Sequence, residues 1–203
     1  MTAKLPGKVI MRLTSYHFIL NDELAHARKT VSSARIASLL KIDGSQVRKD
    51  IALCGILGKG NVGYDALELR GAIERFLGFR DRKNAFIIGA GNLGLALAKF
   101  KDFTDYGVDV LALFDTNPLK AELAVADKTV YPMSRLRDLA KGLNVEIAIL
   151  TVPGRSAQRA ADQIVAAGMK FIWNFSPVII TVPDRVKVRT ENLIGGLLEF
   201  INQ

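Results

Sequence analysis

From residue 84 onward, apolar positions along the chain alternate between two rhythms. Short apolar runs of strand length occur at "NAFIIG" (84–89), "VDVLALFD" (108–115), "VEIAILTVP" (145–153) and "KFIWNFSP" (170–177). Between them, apolar residues recur at helical spacing: Leu93, Ala96, Leu97 and Phe100 in "NLGLALAKFKDF", then "MSRLRDLAKGL" (133–143) with Ser134 as a candidate N-cap, then "RSAQRAADQIVAAG" (155–168). This β-α-β alternation predicts an α/β fold with a doubly wound parallel sheet.

The rhythm before residue 84 is different. In "SSARIASLLKIDGSQVRKDIALCGILGKGNVGY" (32–64), Ser32 or Ser33 caps a helix whose apolar face is Ile36, Ala37, Leu39 and Leu40. "KIDG" makes a short turn, and a second helix follows from Ser45 with Val47, Ile51 and Leu53 or Cys54 facing inward. Gln46, Arg48 and Lys49 are left outward at its start. "GILGKGNVGY" predicts two short strands about a glycine-rich tip carrying Lys59, and "DALELRGAIERFLGF" (65–79) an amphipathic helix capped by Asp65. "RDRKN" then reads as a linker. The organisation expected is a winged helix-turn-helix over 1–80, a Rossmann-type nucleotide domain over 81–189, and a terminal amphipathic helix over 190–203.

Composition narrows the class. Of 203 residues, 49% are hydrophobic and 24% charged, a globular balance rather than a disordered one. The single cysteine, Cys54, excludes a disulfide framework or cysteine metal cluster within one chain and fits a reducing compartment; its place on the inward side of its helix makes it a packed thiol rather than a redox sensor. The N-terminus has no apolar core of signal-peptide length, and no apolar stretch approaches the ~18 residues of a membrane span. A cytoplasmic protein with no membrane partner is expected. Charge sharpens the division into two parts. Residues 1–83 hold 15 Lys and Arg against 8 Asp and Glu, a surplus of +7, whereas the rest of the chain has a surplus of only +1. The first part is therefore suited to an acidic partner such as double-stranded DNA.

Candidate chemistry follows from both parts. "GAGNLG" (Gly89, Ala90, Gly91, Asn92, Leu93, Gly94) fits the G-x-G-x-x-G fingerprint in the context it needs, after a strand and before a helix, with Asp115 closing the next strand 21 residues after Gly94. Gly89 permits the tight turn, Gly91 the approach of a pyrophosphate to the backbone, and Gly94 close packing of helix on strand, while the helix N-terminus faces the phosphates. Asp115 is placed to accept from an adenosine ribose and to repel a 2′-phosphate, which favours NAD(H) over NADP(H) as cofactor. Thr151, Val152, Pro153, Asn174 and Ser176 fall at the carboxyl ends of later strands, where ligands of such sheets sit. The predicted strand ends carry no His or Cys for proton transfer, and the only histidines are His17 and His26. The nucleotide is thus expected to be sensed and not consumed. In the helix-turn-helix, the second helix would enter the major groove, with Ser45, Gln46, Arg48 and Lys49 at the DNA and Lys59 of the wing beside it. Gln suits adenine in a bidentate contact, Arg suits guanine, and Lys suits phosphate or guanine.

The combination of "QVRKD", a wing ending in "VGY", "GAGNLG", "FDTNP", "ILTVPGRSAQ", "NFSPVIITVPDRVKV" and the terminal "ENLIGGLLEF" resembles the Rex family of bacterial redox-sensing transcriptional repressors over nearly the whole chain. The resemblance implies a homodimer that exchanges its last helix between subunits, binds an inverted-repeat operator, and leaves it when NADH replaces NAD⁺. It is not an enzyme on that reading. The exchange also makes physical sense, since "TENLIGGLLEFINQ" carries Leu193, Ile194, Leu197, Leu198, Phe200 and Ile201 and needs a groove, its own or a partner's. Two features depart from the pattern. The wing tip reads Gly58-Lys59-Gly60-Asn61, where relatives often carry a second basic residue or a proline. Phe100 and Asn192 stand where relatives can pair a tyrosine with an acid of the exchanged helix in the reduced state. The rival readings are a small NAD-dependent oxidoreductase, a CoA-binding protein on a similar sheet, and a DNA-binding protein whose nucleotide switch is lost.

Overall fold

A long helix outside the predicted set, α1 (Gly7–Ala25), organises the N-terminal part by burying Leu13, Tyr16, His17, Leu20 and Glu23 along one face. The computed structural model describes residues 6–60 and 62–202, and the chain divides between Arg80 and Asp81 into two compact units. In the first, β1 (Thr30–Val31) leads into α2 (Ser33–Leu40), a turn through Lys41, α3 (Gly44–Leu53), β2 (Tyr64–Asp65) and α4 (Ala66–Leu77). Ser32 caps α2 by accepting from the Arg35 N–H, and Asp65 caps α4 by accepting from the Glu68 N–H. The helix-turn-helix differs from the expected one in detail. Asp43 caps α3 by accepting from the Ser45 N–H, so Gly44 is helical and does not belong to the turn. Leu39 and Leu53 are exposed, because α2 and α3 present narrower faces, Ile36 with Ala37 and Val47 with Ile51, to a core filled by Tyr16, Leu20, Leu69 and Ile73. The wing also differs. Lys59 pairs with Gly63 in an isolated bridge, while the stem strand β2 pairs antiparallel with β1, Val31 opposite Tyr64. Asn61 at the wing tip lies outside the described residues.

Inside this unit the Asp50 carboxylate, 1% exposed, collects four donors. Arg12 reaches it through Nε (2.6 Å) and Nη2 (2.8 Å), the Tyr16 hydroxyl at 2.8 Å and Gln46 Nε2 at 2.9 Å. Burial alone would raise the pKa of Asp50, but the hydrogen bonds from Arg12, Tyr16 and Gln46 outweigh it and hold the carboxyl below the usual aspartate range. A folded-state pKa below the unfolded one contributes stability above about pH 3.9, and that contribution disappears as pH falls through the depressed value. We expect the melting temperature of Asp50→Asn to lie below that of the unsubstituted chain at pH 7, and the gap to narrow on titration towards pH 3. A gap that stays constant over this range would mean that the charge of Asp50 does not stabilise the fold.

The second unit is built on one sheet. In chain order its elements are β3 (Lys83–Ile88), α5 (Asn92–Ala98), α6 (Asp102–Asp105), β4 (Val108–Asp115), β5 (Ala124–Val125), β6 (Lys128–Pro132), α7 (Leu136–Gly142), β7 (Ile147–Leu150), α8 (Gly154–Ala166), β8 (Phe171–Asn174), β9 (Lys187–Thr190) and α9 (Leu193–Ile201). The strand order is β5-β6-β4-β3-β7-β8-β9, parallel except for β5 against β6. Leaving out β5, this is the dinucleotide-fold order, which reverses between β3 and β7. Alternation along β3 sends Ala85 and Ile87 to one face and Phe86 and Ile88 to the other, so each side of the sheet carries its own core. Two local expectations fail. Ser134 caps nothing, since residues 133–135 form a 3-10 turn that runs into α7 without a side-chain cap. In α5 the inward residues are Gly94 and Ala98; Leu93 and Phe100 are exposed, because the close helix–strand contact requires the smallest residues.

Candidate functional site

The reversal of strand order leaves a cleft of about 450 Å³ at the carboxyl ends of β3, β4 and β7. Gly89, Gly91, Asp115, Thr151, Val152 and Pro153 all line it, so six of the expected nucleotide residues meet there. The turn is glycine-dependent at two points. Gly89 has φ +109°, and a Cβ there would lie 2.9 Å from the Thr151 carbonyl oxygen; a Cβ on Gly94 would lie 2.0 Å from the Gly89 carbonyl oxygen. At Gly91 a Cβ would meet nothing within 4 Å and would extend into the cleft. The loop thus keeps bare backbone where a pyrophosphate would pass. A larger hollow of about 750 Å³ around Phe100, Phe103 and Asp109 opens instead near the amino end of β4, away from the switch point.

Asp115 is tied to the glycine loop. Its Oδ2 accepts from the Ala90 N–H (2.9 Å) and from Lys120 Nζ (3.1 Å), and its Oδ1 from the Asn117 N–H (2.8 Å). Burial pushes its pKa up, but these three donors outweigh burial and keep it below the usual aspartate value, hence ionised near neutrality. Lys120 also donates to the Ala90 carbonyl (2.9 Å), clamping loop and acid together. Lys120 was not among the expected residues, nor were Arg155 and Arg159, two further cations lining the cleft from α8. Their signal was available: a lysine five residues after the acid, and two arginines at i and i+4 on the helix that follows the third strand.

The remaining expected nucleotide residues are placed otherwise. Asn174 and Ser176 are fully buried and used internally: Asn174 Nδ2 donates to the Val178 carbonyl, its Oδ1 accepts from the Ser176 N–H, and Ser176 Oγ donates to the Val152 carbonyl. These two residues shape the turn, and their side chains are not offered to the cleft. Thr151 Oγ1 likewise donates to the Gly89 carbonyl at 2.8 Å, bracing the loop from β7. Ala90 has a buried side chain and a committed N–H, whereas Asn92 and Leu93 are exposed on the first turn of α5.

In the first unit, Ser45, Arg48 and Lys49 are exposed on α3 and Lys59 on the wing. Arg48 Nη1 makes one long contact with Ser33 Oγ, at 3.4 Å. Gln46, expected outward, is half-buried, because its amide is drawn to Asp50 one turn along the helix. Cys54 is half-buried, its thiol directed at the Asp50 carbonyl, and burial followed by the charge of Asp50 pushes its pKa up to about 11.

Two family models match the chain: a putative DNA-binding protein N-terminus over residues 4–52 and a CoA-binding domain over residues 80–178. The redox-sensing transcriptional repressor Rex of Treponema denticola is 43% identical over 92% of this chain and 89% of its own length. The Rex repressor of Porphyromonas gingivalis is 36% identical over 100% and 93%. The chain belongs to the Rex family. Among solved structures, the Rex-family repressor RSP in complex with β-NAD⁺ and operator DNA matches with a TM-score of 0.88 at 34% identity, over 98% of this chain and 92% of that one. RSP in complex with β-NADH matches at 0.87 and 33%, over 98% and 94%. All of these relatives are named as repressors.

Within this Rex chain Phe100 and Asn192 have local settings. Phe100 is 52% exposed and sits edge-to-face on Phe103, ring centroids 5.2 Å apart. Asn192 caps α9 by accepting from the Gly195 N–H at 2.8 Å. Asn192 thus serves as the N-cap of α9, a place that an aspartate would fill equally well. Along α9 none of Leu193, Ile194, Leu197, Leu198, Phe200 and Ile201 is buried. Among the described residues no helix is long and apolar enough to cross a membrane.

Proposed function

We propose that this protein is a cytoplasmic, homodimeric transcriptional repressor that binds an inverted-repeat operator and releases it when NADH occupies the cleft. The observation that carries the reading is the presence in one chain of a helix-turn-helix with an exposed, basic second helix and a switch-point cleft edged by bare glycine backbone and an ionised aspartate. Relatives of similar length solved with NAD⁺ and operator DNA, and with NADH, support both halves. Gly89 permits the tight turn, Gly91 admits the pyrophosphate and Gly94 packs helix on strand, while Asp115 accepts from the adenosine ribose and Thr151, Val152 and Pro153 close the side towards the nicotinamide. Among the described residues, the ionisable side chains lining the cleft are Asp115, Lys120, Arg155 and Arg159, a set suited to holding a dinucleotide. Ser45, Gln46, Arg48, Lys49 and Lys59 face DNA. The apolar side chains of α9 are covered in a dimer by the partner subunit, and that exchange carries the nucleotide state across the pair.

The nucleotide can shift the repressor only through differential affinity. NADH must bind the DNA-incompetent arrangement more tightly than the competent one, and a ligand with equal affinity for both shifts nothing. The test is anisotropy of a labelled inverted-repeat operator at fixed salt, first with protein, then with NADH or NAD⁺ added. Release by NADH with little by NAD⁺ is expected. Tight binding indifferent to both would leave a repressor without a nucleotide switch, and attention would turn to Phe100 and Asn192, which cannot form the hydroxyl–carboxylate latch.

A further inference from the structure

The sequence suggests Gln46 as a free amide able to read adenine; the structure shows an amide already held. Gln46 Nε2 donates to Asp50 Oδ1 at 2.9 Å, and the same carboxylate receives Arg12 through two nitrogens and the Tyr16 hydroxyl. Its oxygens therefore take four donors from three directions, and the group is buried. An ionised carboxylate has no proton to give and only accepts. Against such a group the amide of Gln46 has one favourable orientation, nitrogen towards Asp50 and oxygen away. Turning it over would set Oε1 against a carboxylate oxygen, a repulsive contact between two acceptors in a partly dry site.

Resting on the reading of α3 as the helix that enters the major groove, we infer that Asp50 fixes the amide of Gln46 so that Oε1 is presented as an acceptor to one base. Gln46 then selects a base carrying an exocyclic amine in the groove, adenine N6 or cytosine N4, and disfavours guanine and thymine, whose O6 and O4 are acceptors. Asp50 touches no DNA in this scheme and acts as a positioning residue. Arg12, on α1, anchors the position of Asp50 from outside the helix-turn-helix, so one element of base selectivity originates 34 residues before the reading residue.

The test is a permutation series. An operator half-site is first selected from randomised inverted repeats with the full-length protein, and each base pair is then changed in turn and its affinity measured at fixed salt. At one position per half-site we expect A or C on the contacted strand to bind about 5- to 100-fold more tightly than G or T. Gln46→Ala should flatten the preference at that position and leave the others unchanged. Asp50→Asn, whose own amide can either accept or donate, lets Gln46 turn over, and should narrow the same preference without changing selectivity elsewhere. A general weakening from looser structure would lower all positions together and could not produce this pattern. If Asp50→Asn does not fold, Gln46→Glu replaces it. A carboxylate at position 46 can only accept, as Oε1 of the held amide does, so a Glu that reaches the base should keep the A or C preference and gain nothing with G or T. The inference is overturned if the position flattened by Gln46→Ala favours G or T, if Gln46→Ala weakens every operator variant uniformly, or if Gln46→Glu binds G or T there as well as A or C. Selection that yields no preferred sequence at all would overturn the DNA-reading role of α3 itself, and the amide assignment with it. That outcome is distinct from a selective operator read with the wrong base at this position.

Discussion

Arg48→Ala is expected to abolish specific operator binding and leave NADH affinity unchanged. Arg48 is exposed on α3, and its one side-chain hydrogen bond among the described residues is the 3.4 Å approach to Ser33 Oγ, so its removal costs the fold little. On DNA the balance reverses. A bidentate arginine–guanine contact is worth about 1–3 kcal/mol, and a dimer on an inverted repeat makes it twice, for about 2–6 kcal/mol, or about 30-fold to 10⁴-fold in affinity. The nucleotide cleft belongs to the other structural unit, and none of its lining residues lies before Ile88. Operator anisotropy and NADH fluorescence titration on one preparation check both halves of the expectation. Equal loss of the two would identify Arg48 as a folding residue.

The second large effect is expected at Asp115. Asp115→Ala removes the acceptor for Ala90 N–H, Asn117 N–H and Lys120 together with the ribose contact, and leaves the glycine loop tied by Lys120 to the Ala90 carbonyl and by Thr151 to the Gly89 carbonyl. Hydrogen bonds to a charged group contribute about 1.5–3 kcal/mol, so NADH affinity should fall about 10- to 150-fold. The protein without nucleotide should still bind operator. Selectivity should move as well. With Asp115 gone, Lys120, Arg155 and Arg159 leave the cleft wholly cationic, and the disadvantage of NADPH relative to NADH should shrink. Titration with both nucleotides checks this, and unchanged NADH affinity would remove Asp115 from the site.

Much of this architecture is legible in the sequence because it is local. The alternation from residue 84 gives the sheet, and glycine spacing with an acid after the next strand gives the cleft. What was missed is non-local or polar. α1 escaped because two of its five buried positions are His17 and Glu23; these break the apolar count yet are satisfied by Glu74 and by Arg28 and Arg35, from elsewhere in the fold. β9 escaped because it is an edge strand, "KVRT", with no buried residue and therefore no alternation. The wing was misread because the partner of Tyr64 is Val31, 33 residues earlier and beyond any local pattern. Gln46 was placed outward by helical geometry alone. Its anchor, Asp50, is a charged residue inside the core, held there by an arginine 38 positions away. Asn174 and Ser176 looked like ligand residues because turns and binding sites draw on the same residue types.

The setting of Cys54 has a consequence for the kind of signal such a repressor can hear. Its thiol is half-buried, and at a pKa of about 11 it carries almost no thiolate near neutral pH, so it is a poor target for peroxide or disulfide exchange. It is also the only cysteine in the chain, with no neighbour to close a reversible bridge. A regulator built this way offers oxidants no ready thiol, and the signal it receives through the dinucleotide pool does not pass through its cysteine. Its response leaves no covalent record. Once the pool recovers, the protein resets at the speed of ligand exchange, with no repair enzyme between the signal and its withdrawal.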